Sequence, residues 1–218
     1  MSSVIKENYL KALFFLSEKD STVTLTDLGK AMQVSKPTVN DMVKKLGSKG
    51  WIEYQRYKPL KITESGKRAA ALVIRKHRIS EMFLAQVMGF GWEEVHEIAE
   101  ELEHIKSEKF FDRMNELMGY PSVDPHGSPI PDKDGNINHP DYKPLTELQE
   151  SSRAIIKGIR DSSTDLLLFL NKKGLTLGTE IILDEVESFD QSIVISTKDS
   201  QSLHLSHSVA NHLLVQMI

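Results

Sequence analysis

"TLTDLGKAMQVSKPTVNDMVKKLGSKG", residues 24–50, decides how the first part of this chain folds. It reads as two short helices around the turn "QVS" (33–35). Thr26 is the expected N-cap of the first, over Asp27–Met32, because a hydroxyl there accepts from an otherwise unpaired helical N–H. Ser35 is the expected cap of the second, with Pro37 in the first turn, where a missing N–H costs no hydrogen bond. "WIEYQRYKPLKIT" (51–63) follows as two β-rich runs around a basic turn with Pro59, a hairpin. Helix, turn, helix and hairpin in this order make a winged helix–turn–helix.

In such an element the second helix enters the DNA major groove with its N-terminal residues against base edges. Those residues are Ser35, Lys36, Pro37, Thr38 and Asn40. Short hydroxyl and apolar groups suit thymine methyls, and Asn40 suits a base edge or a phosphate. Lys44, Lys45 and Lys49 lie further along, and Arg56, Lys58 and Lys61 in the wing are placed for phosphates. Winged domains also serve as protein–protein modules, but the charge favours DNA. Residues 1–78 hold 16 Lys+Arg against 7 Asp+Glu, a net of +9, whereas the other 140 hold 11 against 24, a net of −13. A basic module carried on an acidic body is the pattern of a polyanion binder.

Outward from this element, residues 4–18 have Ile5, Leu10, Leu13, Phe14 and Leu16 near helical spacing. A longer helix is expected over 64–89, broken by "GFGW" (89–92), with helix again over 93–118. Six of the eight prolines fall within 121–144, an extended, helix-free linker. From about residue 150, "SRAIIKGIR", "GTEIILDEVES", "QSIVIST" and "SLHLSHSVANHLLVQMI" are short β-rich runs, with the helical "TDLLLFLNKKG" among them. A small β-barrel is the expected arrangement. The chain is thus mainly α with a small all-β domain: a winged helix–turn–helix over 1–63, a helical domain over 64–120, a linker over 121–149 and the β domain over 150–218. The absence of cysteine excludes disulfides, zinc ribbons and thiol chemistry and fits a cytoplasmic protein. The start has no secretory pattern, and no run approaches the ~18 apolar residues of a membrane span.

Two further stretches carry chemistry. "RKHRISE" (75–81) sets His77 and Glu81 four residues apart, on one helical face, as two ligands of one ion require. "HEIAEELEHI" (96–105) packs two histidines and four glutamates into ten positions. On an ideal helix His96, Glu100, Glu103 and His104 share an arc of about 100°. A solvated acidic face gives the same pattern when seen alone. Both stretches together favour metal, and oxygen and imidazole donors without sulfur suit Mn²⁺.

"RKHRISEMFLAQVMGFGWEEVHEIAEELEHIKSE" (75–108) and "DPHGSPIP" (124–131) closely resemble the diphtheria-toxin-repressor family, which includes the manganese transport regulators. The resemblance covers essentially the whole chain. It implies a winged helix, a metal-binding and dimerisation domain, and a C-terminal SH3-like domain of FeoA type. It implies a regulatory site of Glu100, Glu103 and His104, completed at the position of Asn8. Manganese-type members commonly carry aspartate there and iron-type members methionine; Asn8 is neither. Glu100 stands where iron-type members have cysteine, and Lys11 where short manganese regulators have a second carboxylate. A second site is implied at His77, Glu81 and His96, completed from the SH3-like domain by Asp161, or failing that Asp165. The implied function is a Mn²⁺-dependent repressor with two ions per subunit, binding palindromic operators of metal-uptake genes as a homodimer. Fe²⁺ is the alternative ion. Two rivals of other classes are a di-metal oxidase, which needs Glu-x-x-His on paired helices, and a winged-helix regulator sensing an organic ligand, whose DNA binding would ignore chelators.

Overall fold

The computed structural model describes residues 3–20, 22–55, 58–198 and 202–218. The chain forms two compact units: residues 1–77, 100–108 and 130–138 make the first, and 78–99, 109–129 and 139–218 the second.

The first unit opens with α1 (Ser3–Lys19), α2 (Leu25–Ala31) and α3 (Lys36–Ser48), followed by β1 (Ile52–Glu53) and β2 (Lys61–Ile62) as an antiparallel pair. A bridge between Val23 and Leu60 extends the wing. α2 starts two residues earlier than expected, with Thr24 and not Thr26 as its N-cap. The Thr24 hydroxyl accepts from Asp27 N–H while the Asp27 carboxylate accepts from Thr24 N–H. Only Thr24 has an acidic residue three positions on, so only it closes this reciprocal pair. Ser35 precedes α3 as expected, with Pro37 in the first turn. Tyr9 and Leu13 of α1 share one core with Leu28 of α2 and Val39, Met42, Val43 and Leu46 of α3. A shift of α1 is therefore felt by the recognition helix, because close-packed interiors transmit displacement. α4 (Glu64–Gln86) begins beside the wing, where a Cβ on Gly66 would lie 2.0 Å from the Trp51 carbonyl oxygen. Only glycine fits there.

The expected helix over 93–118 is two helices, α5 (Val95–Leu102) and α6 (Glu108–Leu117). Glu103 and His104 lie in a turn after α5 and not on its face. Residues 121–142 contain no helix, as expected.

The second unit is built on a sheet of β3 (Lys143–Pro144), β4 (Arg153–Ile159), β5 (Glu180–Val186), β6 (Ile193–Thr197), β7 (Ser202–Leu205) and β8 (Leu213–Met217). The order is β3-β8-β4-β5-β6-β7, every pairing antiparallel. The end strands do not pair, so the expected barrel is an open SH3-like sheet. Alternating residues such as Ile181/Leu183, Ile193/Ile195 and Leu203/Leu205 form its core, and Leu167 and Leu170 of α7 (Thr164–Lys172) join it. A short α8 (His207–His212) lies within a run read as strand. No helix among the described residues is long and apolar enough to cross a membrane.

Candidate metal centres and DNA interface

The first unit brings Glu100, Glu103 and His104 together with Lys11, His77 and Glu7, and Asn8 lies on α1 between Glu7 and Lys11. Glu103 is buried, and its Oε2 lies 2.7 Å from His77 Nδ1. Lys11 Nζ is 2.8 and 2.9 Å from the two Glu103 oxygens and 2.6 Å from Glu100 Oε1. Burial raises the Glu103 carboxyl, but the His77 hydrogen bond and the Lys11 charge outweigh it and hold it below the ordinary value. Glu7, which the sequence reading passed over, has its Oε2 2.7 Å from His104 Nδ1. The contact of Nδ1 with Glu7 turns the other ring nitrogen, Nε2, towards Glu103 Oε1, 3.6 Å away. A carboxylate that fixes the ring from behind is the usual support of a ligating histidine. Asn8 Oδ1 is buried without a hydrogen-bond partner among the described residues, which costs about 1–3 kcal/mol. An orphaned amide oxygen, an oriented imidazole and two carboxylates fit a hard or borderline divalent cation.

His77 lies in the first unit, and the remaining expected ligands of the second site, Glu81, His96 and Asp161, lie in the second. There Glu81 is buried, with Oε1 3.2 Å from His96 Nδ1. Asp161 is exposed and caps the Ser163 N–H, and it lines with His96, Glu93 and Glu97 an open acidic cleft of about 580 Å³. Asp165 is on the first turn of α7.

Glu81 also meets two residues that the sequence reading left unassigned. Glu81, Asp124 and His126, all buried, each offer a ligand atom within 4.8 Å of the others. The segment "DPHGSPIP" that carries them is pinned to β4. Ile159 N–H donates to the His126 carbonyl, and a Cβ on Gly127 (φ +85°) would lie 2.1 Å from the Lys157 oxygen. Asp124 Oδ1 accepts from the N–H groups of His126 and Ser128. His126 Nε2 is 2.8 Å from the Trp92 carbonyl, so it must donate there, which leaves Nδ1 facing Glu81 Oε2 at 3.9 Å. Burial and the neighbouring Glu81 raise the Asp124 carboxyl, only partly offset by Arg78, whose Nε is 3.5 Å away. Two buried carboxylates and an imidazole nitrogen converge as they do around a cation.

The reading face of α3 is open. Ser35, Lys36, Pro37, Thr38 and Lys44 are exposed, and Ser35 Oγ lies 3.0 Å from Thr38 Oγ1. The Tyr54 hydroxyl of the wing donates to Asn40 Oδ1 at 2.8 Å, which aims the amide NH₂ of Asn40 outward as a donor. Lys58 is exposed, and Arg56 lies outside the described residues.

Comparison with known proteins agrees with this layout. Residues 1–60 match the family described as iron dependent repressor, N-terminal DNA binding domain. Residues 63–132 match iron dependent repressor, metal binding and dimerisation domain, and 143–217 match the FeoA domain. The solved manganese regulator SloR is 31% identical, with a TM-score of 0.76, over 98% of both chains. This chain belongs to the iron-dependent, or diphtheria-toxin, repressor family. It is a metal-dependent transcriptional repressor and not an enzyme, which sets the di-metal oxidase aside. The repressor is also similar to a manganese-dependent transcriptional repressor solved with manganese, at a TM-score of 0.86 and 27% identity over 98% of this chain and 100% of that one. The iron-dependent repressor IdeR of Mycobacterium leprae is 26% identical over 225 residues, covering 97% of this chain and 96% of its own.

Proposed function

We propose that this repressor is activated by Mn²⁺ at a regulatory centre of Asn8, Glu100, Glu103 and His104, and then binds a palindromic operator as a homodimer. The observation that carries the reading is the buried Asn8 Oδ1, without a partner among the described residues, on the helix whose Glu7 and Lys11 hold His104, Glu100 and Glu103. An ion held by Asn8, Glu100, Glu103 and His104 would join α1 to the end of α5. Tyr9, next to Asn8, packs in the core that also holds α3, so such bonds would set the position of the recognition helix. Converting such an equilibrium from 1:99 to 99:1 needs ~5.5 kcal/mol of differential affinity, within reach of several direct metal bonds. His77 positions Glu103. A second ion is assigned to Glu81, Asp124 and His126, with His96 and Asp161 on the adjoining cleft.

Ser35, Lys36, Pro37, Thr38 and Asn40 read bases, while Lys44, Arg56 and Lys58 hold phosphates. Val87, Met88 and Phe90 after α4, Phe110 and Leu117 on α6, and Tyr120 are exposed apolar residues, and we assign them to the homodimer interface. The domain boundaries follow: 1–63 for DNA, 64–120 for metal and dimerisation, 121–149 as linker and 150–218 as the SH3-like domain. Metal-uptake promoters are the assigned targets and the cytoplasm the assigned compartment.

The test is chelator-stripped protein titrated with Mn²⁺, Fe²⁺ or Zn²⁺ while its affinity is measured for DNA selected from a random pool by the loaded protein. Mn²⁺ is expected to activate at the lowest concentration among ions that a cell keeps free. Activation by Fe²⁺ at lower concentration makes the repressor iron-type, and DNA binding unchanged by chelator contradicts the reading in favour of an organic effector.

A further inference from the structure

We propose that the Lys11 ammonium is a built-in competitor for the regulatory metal, and that the ion activates by taking the carboxylates from it. The inference rests on the proposed regulatory centre and adds a residue that sets its threshold. An ammonium has three protons, and Lys11 has three contacts at 2.6–2.9 Å, all to oxygens of Glu100 and Glu103. Its side chain is only 12% exposed and the Glu103 side chain 0%, so this is not a loose surface pair. Lys11 satisfies in the metal-free protein the two carboxylates that the ion uses in the loaded one.

An ion drawing on Glu103 Oε1 competes with the Lys11 ammonium for the same lone pairs and repels its charge, so its binding weakens or breaks the Lys11 contacts. Asn8 and Lys11 are three residues apart on α1 and therefore neighbours on one face. Lys11 is engaged while the Asn8 oxygen has no partner among the described residues. Loading exchanges one link between α1 and the α5 turn, through Lys11, for another one turn earlier, through Asn8. The metal-free repressor thus keeps α1 attached, but at the wrong point, and the energy of the Lys11 bonds is subtracted from metal affinity. A thioether or amide at position 11 removes this competition, whereas arginine retains it.

The test is Mn²⁺ affinity by competition with a fluorescent chelator, together with thermal unfolding in excess EDTA, for wild type, Lys11→Met, Lys11→Gln and Lys11→Arg. Lys11→Met is expected to bind Mn²⁺ about tenfold tighter or more, ~1.4 kcal/mol, while its melting temperature in EDTA falls. Lys11→Gln, which keeps a donor, is expected to tighten binding less and keeps the test open if the Met variant does not fold without metal. Lys11→Arg is expected not to tighten it. Unchanged or weaker Mn²⁺ binding by both neutral variants, in a protein whose titration still depends on Glu103, overturns this inference alone. A Mn²⁺ titration indifferent to Glu103→Ala overturns the regulatory centre itself, and the inference with it.

Discussion

Glu103 in the first unit and Asp124 in the second are both buried carboxylates, yet their protons are held in opposite ways. Burial raises both. Around Glu103 the His77 hydrogen bond and the Lys11 ammonium outweigh burial, and the carboxyl falls below its ordinary value. Around Asp124 a second carboxylate, Glu81, adds to burial, and Arg78 and His126 do not make up the difference, so the carboxyl rises. One site comes with its positive charge supplied by the protein; the other is short of it. An ion entering the first would compete with an ammonium, whereas an ion entering the second would supply positive charge that the protein lacks there.

The largest effect expected from this contrast is at Glu103. Glu103→Ala should reduce Mn²⁺-activated DNA binding to the metal-free level, a loss on the order of 100-fold or more, measured by fluorescence anisotropy on the selected DNA. Full activation of that variant would break the contrast by moving the switch elsewhere. Asp124→Asn should instead leave activation largely in place, abolish one bound ion and raise the melting temperature in chelator by about 2–4 °C, ~1 kcal/mol. It removes a charge that Glu81 repels and keeps the oxygen that accepts from His126 and Ser128. A lower melting temperature would show that Asp124 is already compensated.

The pH dependence of the metal-free protein should separate the two carboxyls further. The Glu103 carboxyl is lowered, so its contribution to stability is present above its ordinary 4.5 and is lost as pH falls through its folded value. The Asp124 carboxyl is raised from 3.8, so its contribution is greatest below that pH and is lost as pH rises through its folded value. Melting temperatures taken in chelator between about pH 3 and 7 should therefore fall less steeply on the acid side in Glu103→Gln, where the other lowered carboxyls remain, and fall less on the alkaline side in Asp124→Asn. The same profile in both variants would contradict the assignment. The smallest effect is expected at Asn8. Asn8→Asp should lower the Mn²⁺ midpoint several-fold, because a full charge replaces a dipole, and Asn8→Met should shift preference away from Mn²⁺. Midpoints equal to wild type in both would remove Asn8 from the ligand set.

The DNA-reading half of the molecule was open to sequence reasoning because local rules decide it. A turn between two helices, a proline in a first turn and a basic hairpin need no distant partner to be recognised. The capping error was avoidable, since Thr24 and Asp27 have the reciprocal spacing and Thr26 lacks it. The break after Leu102 was not legible. "EELEHIKSE" contains neither glycine nor proline, and a helix stops there where Glu103 turns inward to Lys11 and His77, residues more than twenty positions away. The helical-wheel argument that grouped the expected ligands fails, because Glu103 and His104 lie in the turn after α5 and not on its face. Glu7 and Lys11 carry no signal in isolation, since a glutamate and a lysine on a surface-like helix are ordinary. Asp124 and His126 were visible in "DPHGSPIP" but lie in a loop, where no periodicity says which way a side chain faces. α8 was hidden for the opposite reason: the apolar residues on either side of it read as strand.

The account's central claim is that two ions bind and that only the one linked to α1 drives DNA recognition. It is tested most directly by counting Mn²⁺ per chain by electron paramagnetic resonance while following DNA anisotropy in the same samples, for wild type, Glu103→Ala and Asp124→Asn. Two ions with DNA binding in wild type, one ion without it in Glu103→Ala, and one ion with it in Asp124→Asn is the predicted result. DNA binding lost in Asp124→Asn and retained in Glu103→Ala would contradict it.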